Sequence, residues 1–338
     1  MRELAQELLT GEEAWVVGGA VRDELLGRPI VDLDIALADP RGAARAYARR
    51  SGGVPFPLSE RHGAWRVALD GGRTIDFTPL RGTIADDLAT RDFTINAIAV
   101  PLAGGEAVDP FGGRRDLDEL VLRAVSDGAF EDDPLRLLRA VRFVDRFGFT
   151  LDDATSDLVR AAAHLVDRPS GERIVDELEQ LSARGFRLLD ELGLLAPLGG
   201  SVTELRDEDS DAIRLPRVFG TSLERFPISN EQRRLLRAVL RAERPPDDSP
   251  RAIYRFRRVT EPWALEALEF IGADDLRVAV EEARRNDPAE PLVRGDDLGV
   301  EPGPEVGRLL DRIEEERAAG TISTREEALE LARRERRS

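Results

Sequence analysis

The chain has 338 residues, no cysteine and a formal net charge of −17. A chain of this length can bury a large core and is expected to divide into two or more domains. The absence of cysteine excludes disulfides, thiolate metal sites and a thiol nucleophile, and the 49 basic residues include no lysine, which excludes a Walker-type lysine and Schiff-base chemistry.

The first predicted elements surround a pair of glycines, Gly18 and Gly19. We expect a short buried strand, a helix that ends at Gly27 and then a second strand, at residues 15–17, 20–26 and 30–37. A glycine pair at the start of a helix lets backbone N–H groups approach phosphate oxygens closely, and Arg22 can donate two hydrogen bonds to the same anion. The segment therefore predicts a triphosphate-binding loop.

Two aspartates lie two residues apart on the second predicted strand. Asp32 and Asp34 should point to the same face of the sheet, about 7 Å apart. That spacing suits a pair of Mg²⁺ ions about 3.5 to 4 Å apart, which would bind the attacking and leaving oxygens of a phosphoryl transfer. An isolated Asp-x-Asp is more often a solvated strand face or a turn. The neighbouring glycine loop and Arg22 favour a metal-dependent nucleotidyl-transfer site here.

A β-hairpin is predicted next. Residues 64–69 and 73–78 alternate between apolar and polar side chains on either side of a turn at residues 70–72. Asp76 on the second strand would then be a third inward carboxylate beside the other two. A polar residue on an exposed strand face explains Asp76 equally well, so both interpretations stay open.

A segment that mixes polar and apolar side chains follows the hairpin. In residues 91–97, Phe93 and Ile95 are expected to pack in the core, whereas Arg91, Asp92 and Asn96 remain for polar contacts.

A later helix carries a row of arginines. Asp133 and Pro134 are typical of an N-cap and a first helical residue. An apolar stripe of leucines and valines then lies opposite Arg136, Arg139 and Arg142. These donors, with an aspartate at the start of the helix, can pair with the edge of a nucleotide base. For a helix considered alone, a capping aspartate and a solvated basic face would be the simpler interpretation.

These motifs, in this order and spacing, resemble those of the class II tRNA nucleotidyltransferase and poly(A) polymerase family. The segments that carry the resemblance are residues 18–23, 32–34, 91–97, 133–140, 171–174, 177–178, 295–298 and 302–304. The resemblance implies an α+β fold, with an N-terminal head whose mixed sheet is similar to that of the DNA polymerase β superfamily. An all-helical neck, body and tail would follow. The implied bounds are 1–125 for the head, 126–198 for the neck and 199–338 for the body and tail.

The resemblance also implies roles for single residues. Asp32 and Asp34 would hold Mg²⁺. Together with Asp76, the third carboxylate suggested by the hairpin pattern, they form the candidate catalytic set. Asp133 and Arg136 would select the base edge of ATP or CTP. The remaining candidate nucleotide contacts lie in the glycine loop, the 91–97 segment and the arginine helix: Gly18, Gly19, Arg22, Arg91, Asp92, Arg139 and Arg142.

The implied activity is template-independent addition of CCA, or part of it, to the 3′ end of tRNA from CTP and ATP, with release of pyrophosphate. Relatives with the same head add only CC, only A, or poly(A), and the sequence leaves these alternatives open. An inactive RNA-binding module is the alternative outside enzymes, and the intact acidic and basic motifs disfavour it.

The charge pattern bears on the expected partners. A net charge of −17 opposes nucleic-acid binding in general, so contacts with tRNA should be restricted to arginine patches. Such patches lie at residues 136–146, 233–237 and 251–258. No leader-like N-terminus and no apolar run of about 18 residues is present. We therefore expect a soluble cytoplasmic protein that contacts no membrane, and the sequence indicates no obligate protein partner.

Overall fold

The structure, a computed structural model, describes residues 1–59 and 63–336. The chain divides into two compact units, Met1–Gly199 and Gly200–Ser338. No helix within the described ranges is both long enough and apolar enough to cross a membrane. The further division of the first unit into a head and a neck at residue 125 stays a prediction.

The first unit contains a six-stranded mixed sheet. Its strands in chain order are β1 Ala14–Val17, β2 Asp32–Leu37, β3 Val54–Ser59, β4 Ala64–Ala68, β5 Thr74–Pro79 and β6 Ala99–Pro101. The spatial order is β3-β4-β5-β2-β1-β6. Strands β2 and β5 pair in parallel, and the other neighbours pair antiparallel. The mixed sheet and the β4–β5 hairpin confirm the sequence predictions.

Helices surround this sheet and continue to the end of the first unit. They are α1 Arg2–Leu8, α2 Gly19–Leu25, α3 Pro40–Ser51, α4 Ile84–Ala89, α5 Gly113–Asp118, α6 Ala129–Asp132, α7 Leu135–Phe147, α8 Asp153–Ala161, α9 Gly171–Leu178 and α10 Ala183–Glu191. The predicted all-helical neck also contains a short strand, β8 Thr150–Leu151, which pairs in parallel with β7 Val121–Leu122. Two residues are too short a stretch for an alternation pattern to reveal.

Strand β2 explains why the two aspartates are at the edge of the core. From Leu33 onward its apolar side chains are at most 1% exposed, apart from the interruption at Asp34. The predicted start at residue 30 was wrong. Pairing with β5 begins at Asp32, opposite Thr74, and the preceding Val31 is 53% exposed.

Helix α7 is amphipathic, as predicted. Its buried stripe is Leu137, Leu138, Val141 and Val144. The helix begins one residue later than expected, at Leu135, although Pro134 already has helical dihedral angles. Asp133 still caps it, because its carboxylate accepts a hydrogen bond of 3.2 Å from the Leu135 N–H.

The second unit is helical in its described part. Its helices are α11 Asp211–Phe219, α12 Asn230–Arg241, α13 Pro250–Thr260, α14 Ala264–Ile271, α15 Arg277–Arg285, α16 Pro304–Ala318 and α17 Arg325–Glu335. One apolar core includes Ile213, Val239 and Leu268, and another includes Leu309 and Ile313. A segment that contains Pro245 and Pro246 connects α12 to α13.

The last helix begins with a capping box. Ser323 with Glu326 also matches the sequence pattern of such a box, but Thr324 caps α17 and Glu327 completes it. Thr324 Oγ1 accepts from the Glu327 N–H at 3.3 Å, and the Glu327 carboxylate accepts from the Thr324 N–H at 3.0 Å. Adjacent Ser-Thr and Glu-Glu pairs allow either register, and the start of the helix at Arg325 selects the second.

Candidate active site

The glycine loop lies directly against an aspartate. Gly18 joins β1 to α2 with φ 67° and ψ −136°, a conformation that side chains rarely adopt. A Cβ atom at Gly18 would lie 3.3 Å from Asp34 Oδ2 and 3.5 Å from Arg91 Nη1. Any side chain at this position would therefore crowd the carboxylate and the guanidinium as well as strain the backbone.

Three carboxylates meet on strands β2 and β5. Asp34 lies opposite Asp76 in the parallel register. Asp32 is exposed and accepts a hydrogen bond of 2.7 Å from Thr74 Oγ1. Asp76 is 7% exposed, and both its oxygens accept from Arg66, at 2.7 and 2.8 Å. Asp76 is thus adjacent to the pair and is held in place by an ion pair with Arg66.

Asp34 carries an unfavourable charge in this arrangement. Burial is the main cause, and the charges of Asp76 and Asp32 add to it. These effects outweigh Arg91 and raise the pKa of Asp34 to about 6. A cation beside Asp32 and Asp34 would relieve the repulsion.

The donor set fits a hard divalent cation. Mg²⁺ is usually bound through one or two carboxylates, and water and substrate phosphates complete its coordination. Asp32 and Asp34 provide such a pair. No cluster of three or more histidine, cysteine, aspartate or glutamate side chains suited to a metal occurs among the residues described. The site therefore resembles an open one that requires oxygens from a substrate.

Arg22 is fixed on several sides. Its Nη1 donates to Asn96 Oδ1 at 2.8 Å, and its Nε donates to Asp23 Oδ1 at 2.9 Å. The guanidinium also lies over the rings of Phe143 and Phe147, 5.2 and 5.6 Å from their centroids. The side chain is only 11% exposed. Its position on the cleft wall is therefore set before any ligand binds.

Asp92 is an anchor for other side chains of the site. Its two oxygens accept from the Phe93 N–H at 2.8 Å, Asn96 Nδ2 at 2.9 Å and two Arg139 nitrogens at 3.0 and 2.7 Å. Burial opposes the charge of this carboxylate, but Arg139, Asn96 and the Phe93 N–H together hold its pKa below the ordinary value. With these acceptors engaged by the protein, Asp92 acts through Arg139 and Asn96.

The arginines of α7 are held in place individually. Arg136 donates to the carbonyl oxygens of Thr90 at 2.6 Å and Ala129 at 3.1 Å. Arg142 donates to Glu177 of α9 at 2.6 Å. Asp133, just before α7, accepts from Arg173 of α9 at 2.9 Å.

A cleft of about 490 Å³ brings these groups together. This is a typical size for a small-molecule site. Every site residue predicted from the sequence lines it except Asp76, which lies beside Asp34 on the neighbouring strand. The sequence did not indicate Arg66 as the partner of Asp76, nor Phe143 beside Arg22. Arg173 belongs to a segment that carried the family resemblance, but no role had been assigned to it.

Two family models match the first unit. One, described as the poly A polymerase head domain, matches residues 14–83 and 74–123. The other, described as a probable RNA- and SrmB-binding site of polymerase A, matches residues 148–199.

The curated relatives include CC-adding and A-adding tRNA nucleotidyltransferases. A CC-adding tRNA nucleotidyltransferase of Geobacter sulfurreducens is 50% identical over 53% of this chain and 41% of its own length. An A-adding tRNA nucleotidyltransferase of Deinococcus radiodurans is 47% identical over 54% of this chain and 44% of its own length. The alignments thus span less than half of these two proteins. A CC-adding tRNA nucleotidyltransferase of Thermus thermophilus is 31% identical over 94% of this chain and 93% of its own length.

Solved structures show the same fold over nearly the whole chain. A CCA-adding enzyme in complex with ATP superposes with a TM-score of 0.78, at 24% identity, over 97% of this chain and 93% of that one. The Thermotoga maritima CCA-adding enzyme complexed with tRNA superposes with a TM-score of 0.70, at 24% identity, over 98% of this chain and 93% of that one.

Proposed function

The chain belongs to the class II tRNA nucleotidyltransferase and poly(A) polymerase family, and from this membership we propose that it is a template-independent RNA nucleotidyltransferase. It adds CCA, or part of it, to the 3′ end of tRNA from CTP and ATP and releases pyrophosphate. Addition of only CC, only A or poly(A) is the alternative within the family. The relatives that match at 94% of this chain's length include both a CC-adding and an A-adding enzyme, so they support each alternative.

The observation that carries the proposal is the composition of the 490 Å³ cleft. It joins a carboxylate pair, a glycine loop at a helix start and fixed arginines on one wall. Backbone N–H groups at Gly18 and Gly19 and the guanidinium of Arg22 bind the triphosphate. These groups hold the α-phosphorus near the carboxylates, where the tRNA 3′-hydroxyl can attack in line.

We propose that Asp32 and Asp34 hold Mg²⁺, which would supply charge stabilisation at the phosphoryl oxygens and promote loss of the hydroxyl proton. The exposure of Asp32 and the raised pKa of Asp34 support this assignment. Asp76, held by Arg66, contributes negative charge next to Asp34, and its proposed catalytic role is through that charge.

Base choice is assigned to side chains at the start of α7. Cytosine and adenine each present an exocyclic amino donor next to a ring-nitrogen acceptor, whereas uracil and guanine present a carbonyl acceptor next to a ring N–H donor. The Asp133 carboxylate accepts from the amino group, and Arg136 donates to the ring nitrogen. Both residues line the cleft.

Replacing Asp133 separates base selection from helix capping. In Asp133→Ala, the preference for CTP and ATP over UTP and GTP should fall by about 10- to 100-fold, because one matched hydrogen bond to a desolvated group is worth about 1 to 3 kcal/mol. The melting temperature should also fall, since loss of the cap costs about 1 kcal/mol. Incorporation of all four nucleotides and thermal unfolding are the two measurements.

Asp133→Ser is the matched control. Serine caps a helix as well as aspartate does but is too short to reach a base in its place. It should restore the melting temperature and not the nucleotide preference. An unchanged preference in the alanine variant would show that Asp133 serves only as a cap.

The proposed function is tested by incubating the purified full chain with a tRNA that lacks its 3′ end. CTP alone, ATP alone or both are supplied, and the products are resolved on a sequencing gel. Three added residues with both nucleotides indicate CCA addition, and two with CTP alone followed by none with ATP indicate CC addition. A tRNA that already ends in CC is also incubated with ATP, because an A-adding enzyme would extend only that substrate. If no nucleotide is incorporated into either tRNA, the proposal is wrong.

The arginine patches differ in how well the structure supports contact with RNA. At residues 251–258 the arginines form ion pairs within the second unit, for example Arg255 with Glu315 at 2.7 Å and Arg258 with Asp311 at 2.7 Å. On α12, Arg234 and Arg237 are exposed, and Arg237 is 3.6 Å from Glu224. We therefore favour the α12 face over the 251–258 patch as a contact for the tRNA backbone.

A further inference from the structure

Asp133 is held by a residue that lies 40 positions later in the chain. Arg173 Nη2 donates to Asp133 Oδ2 at 2.9 Å, and Arg173 Nη1 lies 3.5 Å from Oδ1. The Leu135 N–H donates to Oδ1. Asp133 and Arg173 both line the 490 Å³ cleft.

This ion pair is poorly placed to stabilise the fold. The side chains are 34% exposed for Asp133 and 51% exposed for Arg173, and exposed pairs contribute little to stability. A more buried ion pair joins α7 to α9, between Arg142 and Glu177, whose side chains are 14% and 9% exposed and 2.6 Å apart. Arg173 needs another explanation.

The geometry of α9 places Arg173 beside Asp133. Arg173 and Glu177 are four residues apart and therefore lie on the same face of the helix. The buried Glu177–Arg142 pair fixes that face against α7. Arg173 is thus held at the start of α7, where its guanidinium reaches the Asp133 carboxylate at the cleft wall.

We propose that Arg173 is a positioning residue for base selection, an inference that rests on the proposed function. Its guanidinium fixes the Asp133 carboxylate in one orientation. A carboxylate has about four acceptor positions. The Leu135 N–H and the two Arg173 nitrogens engage three of them, which leaves one for the amino group of cytosine or adenine.

Fixing the carboxylate matters because the disfavoured bases also carry donors. Uracil and guanine have a ring N–H next to the position at which cytosine and adenine carry the amino group. A carboxylate free to shift could accept from that ring N–H and lose its selectivity. Held by Arg173, Asp133 accepts only from the amino-group position.

The test compares Arg173→Gln, Arg173→Lys and the parent. Binding of CTP, ATP, UTP and GTP to the full chain is measured by calorimetry without RNA, and KM and kcat are measured with tRNA. In Arg173→Gln the preference for CTP over UTP and for ATP over GTP should fall about tenfold, equivalent to about 1.4 kcal/mol. The loss should appear in KM for CTP and ATP and not in kcat. Arg173→Lys should recover part of the lost nucleotide preference.

Arg50→Gln is the matched control. Arg50 forms a similarly exposed pair, 2.9 Å from Glu7, away from the cleft. This variant should bind and discriminate like the parent. A preference within twofold of the parent in Arg173→Gln, with an unchanged melting temperature, would overturn the inference.

A double-variant comparison decides whether Arg173 acts through Asp133. Adding Arg173→Gln to Asp133→Ala should lower the preference by less than a further twofold. A further tenfold loss would mean that Arg173 contacts the nucleotide itself, and the positioning role would be rejected.

The outcomes also separate this inference from the proposed function. A parent that discriminates among free nucleotides but transfers none to tRNA contradicts the proposed function, and the calorimetric arm still decides the role of Arg173. A parent that transfers nucleotides to tRNA but binds all four equally contradicts the inference alone.

Discussion

Asp34→Asn should lower nucleotide incorporation by at least about 10³-fold, the expected scale for removal of a principal electrostatic group at a reacting phosphate. The substitution keeps the shape of the side chain and removes the charge that we propose binds the metal. The same variant should be more stable than the parent in the absence of divalent metal. The reason is the pKa of about 6, which shows that ionised Asp34 is disfavoured in the folded chain.

The gain in stability of Asp34→Asn over the parent should depend on pH. A carboxyl pKa raised on folding makes the parent lose stability as the pH rises from about 4 through 6. The substituted asparagine does not ionise, so the variant should match the parent at pH 4 and exceed it at pH 7. The difference should reach at most about 3 kcal/mol, since one pKa unit corresponds to about 1.4 kcal/mol.

Incorporation assays and metal-free thermal unfolding at both pH values measure the two effects. Asp70→Asn, in the exposed turn between β4 and β5, is the control and should change neither. Incorporation within tenfold of the parent in Asp34→Asn would contradict the assignment of the metal site.

Asp92→Ala should lower the free energy of unfolding of the first unit by about 3 kcal/mol, the lower end of the cost of breaking a buried ion pair. The carboxylate is 7% exposed and accepts from Asn96 and Arg139 as well as from the backbone of Phe93. Its removal leaves the guanidinium of Arg139 without its partner. Incorporation should fall as well, because Asn96 in turn holds Arg22.

Chemical denaturation of the full chain measures this loss. The double variant Asp92→Ala/Arg139→Met should be more stable than Asp92→Ala, because it also removes the stranded charge. A loss below about 1 kcal/mol in the single variant, the range of exposed pairs, would show that Asp92 is not the anchor described above.

The parts of the site that were predictable from sequence are those built within short segments. Strand period places Asp32 and Asp34 on one face, and helix period places Arg136 and Arg139 opposite an apolar stripe. The glycine loop depends on a local backbone requirement, positive φ at Gly18. Each of these signals is contained in about ten consecutive residues.

The unpredicted parts depend on contacts between distant segments. Arg22 is hydrogen-bonded to Asn96, 74 residues later in the chain, and Asp133 to Arg173, 40 residues later. The sequence placed Asp76 on the correct strand but left its role open, because nothing local shows that Arg66 on the neighbouring strand engages both its oxygens. Pairings of this kind follow from strand order and helix packing, which periodicity does not determine.

The stacking of Arg22 on α7 constrains how such a protein can evolve. The arginine lies in the first 25 residues, but the rings of Phe143 and Phe147 that fix it are encoded about 120 positions later. A recombination event with a crossover between residues 125 and 135 would combine one ancestor's arginine with another ancestor's rings. The two segments are therefore expected to be inherited together, because exchanging either one alone would separate Arg22 from the rings it stacks on.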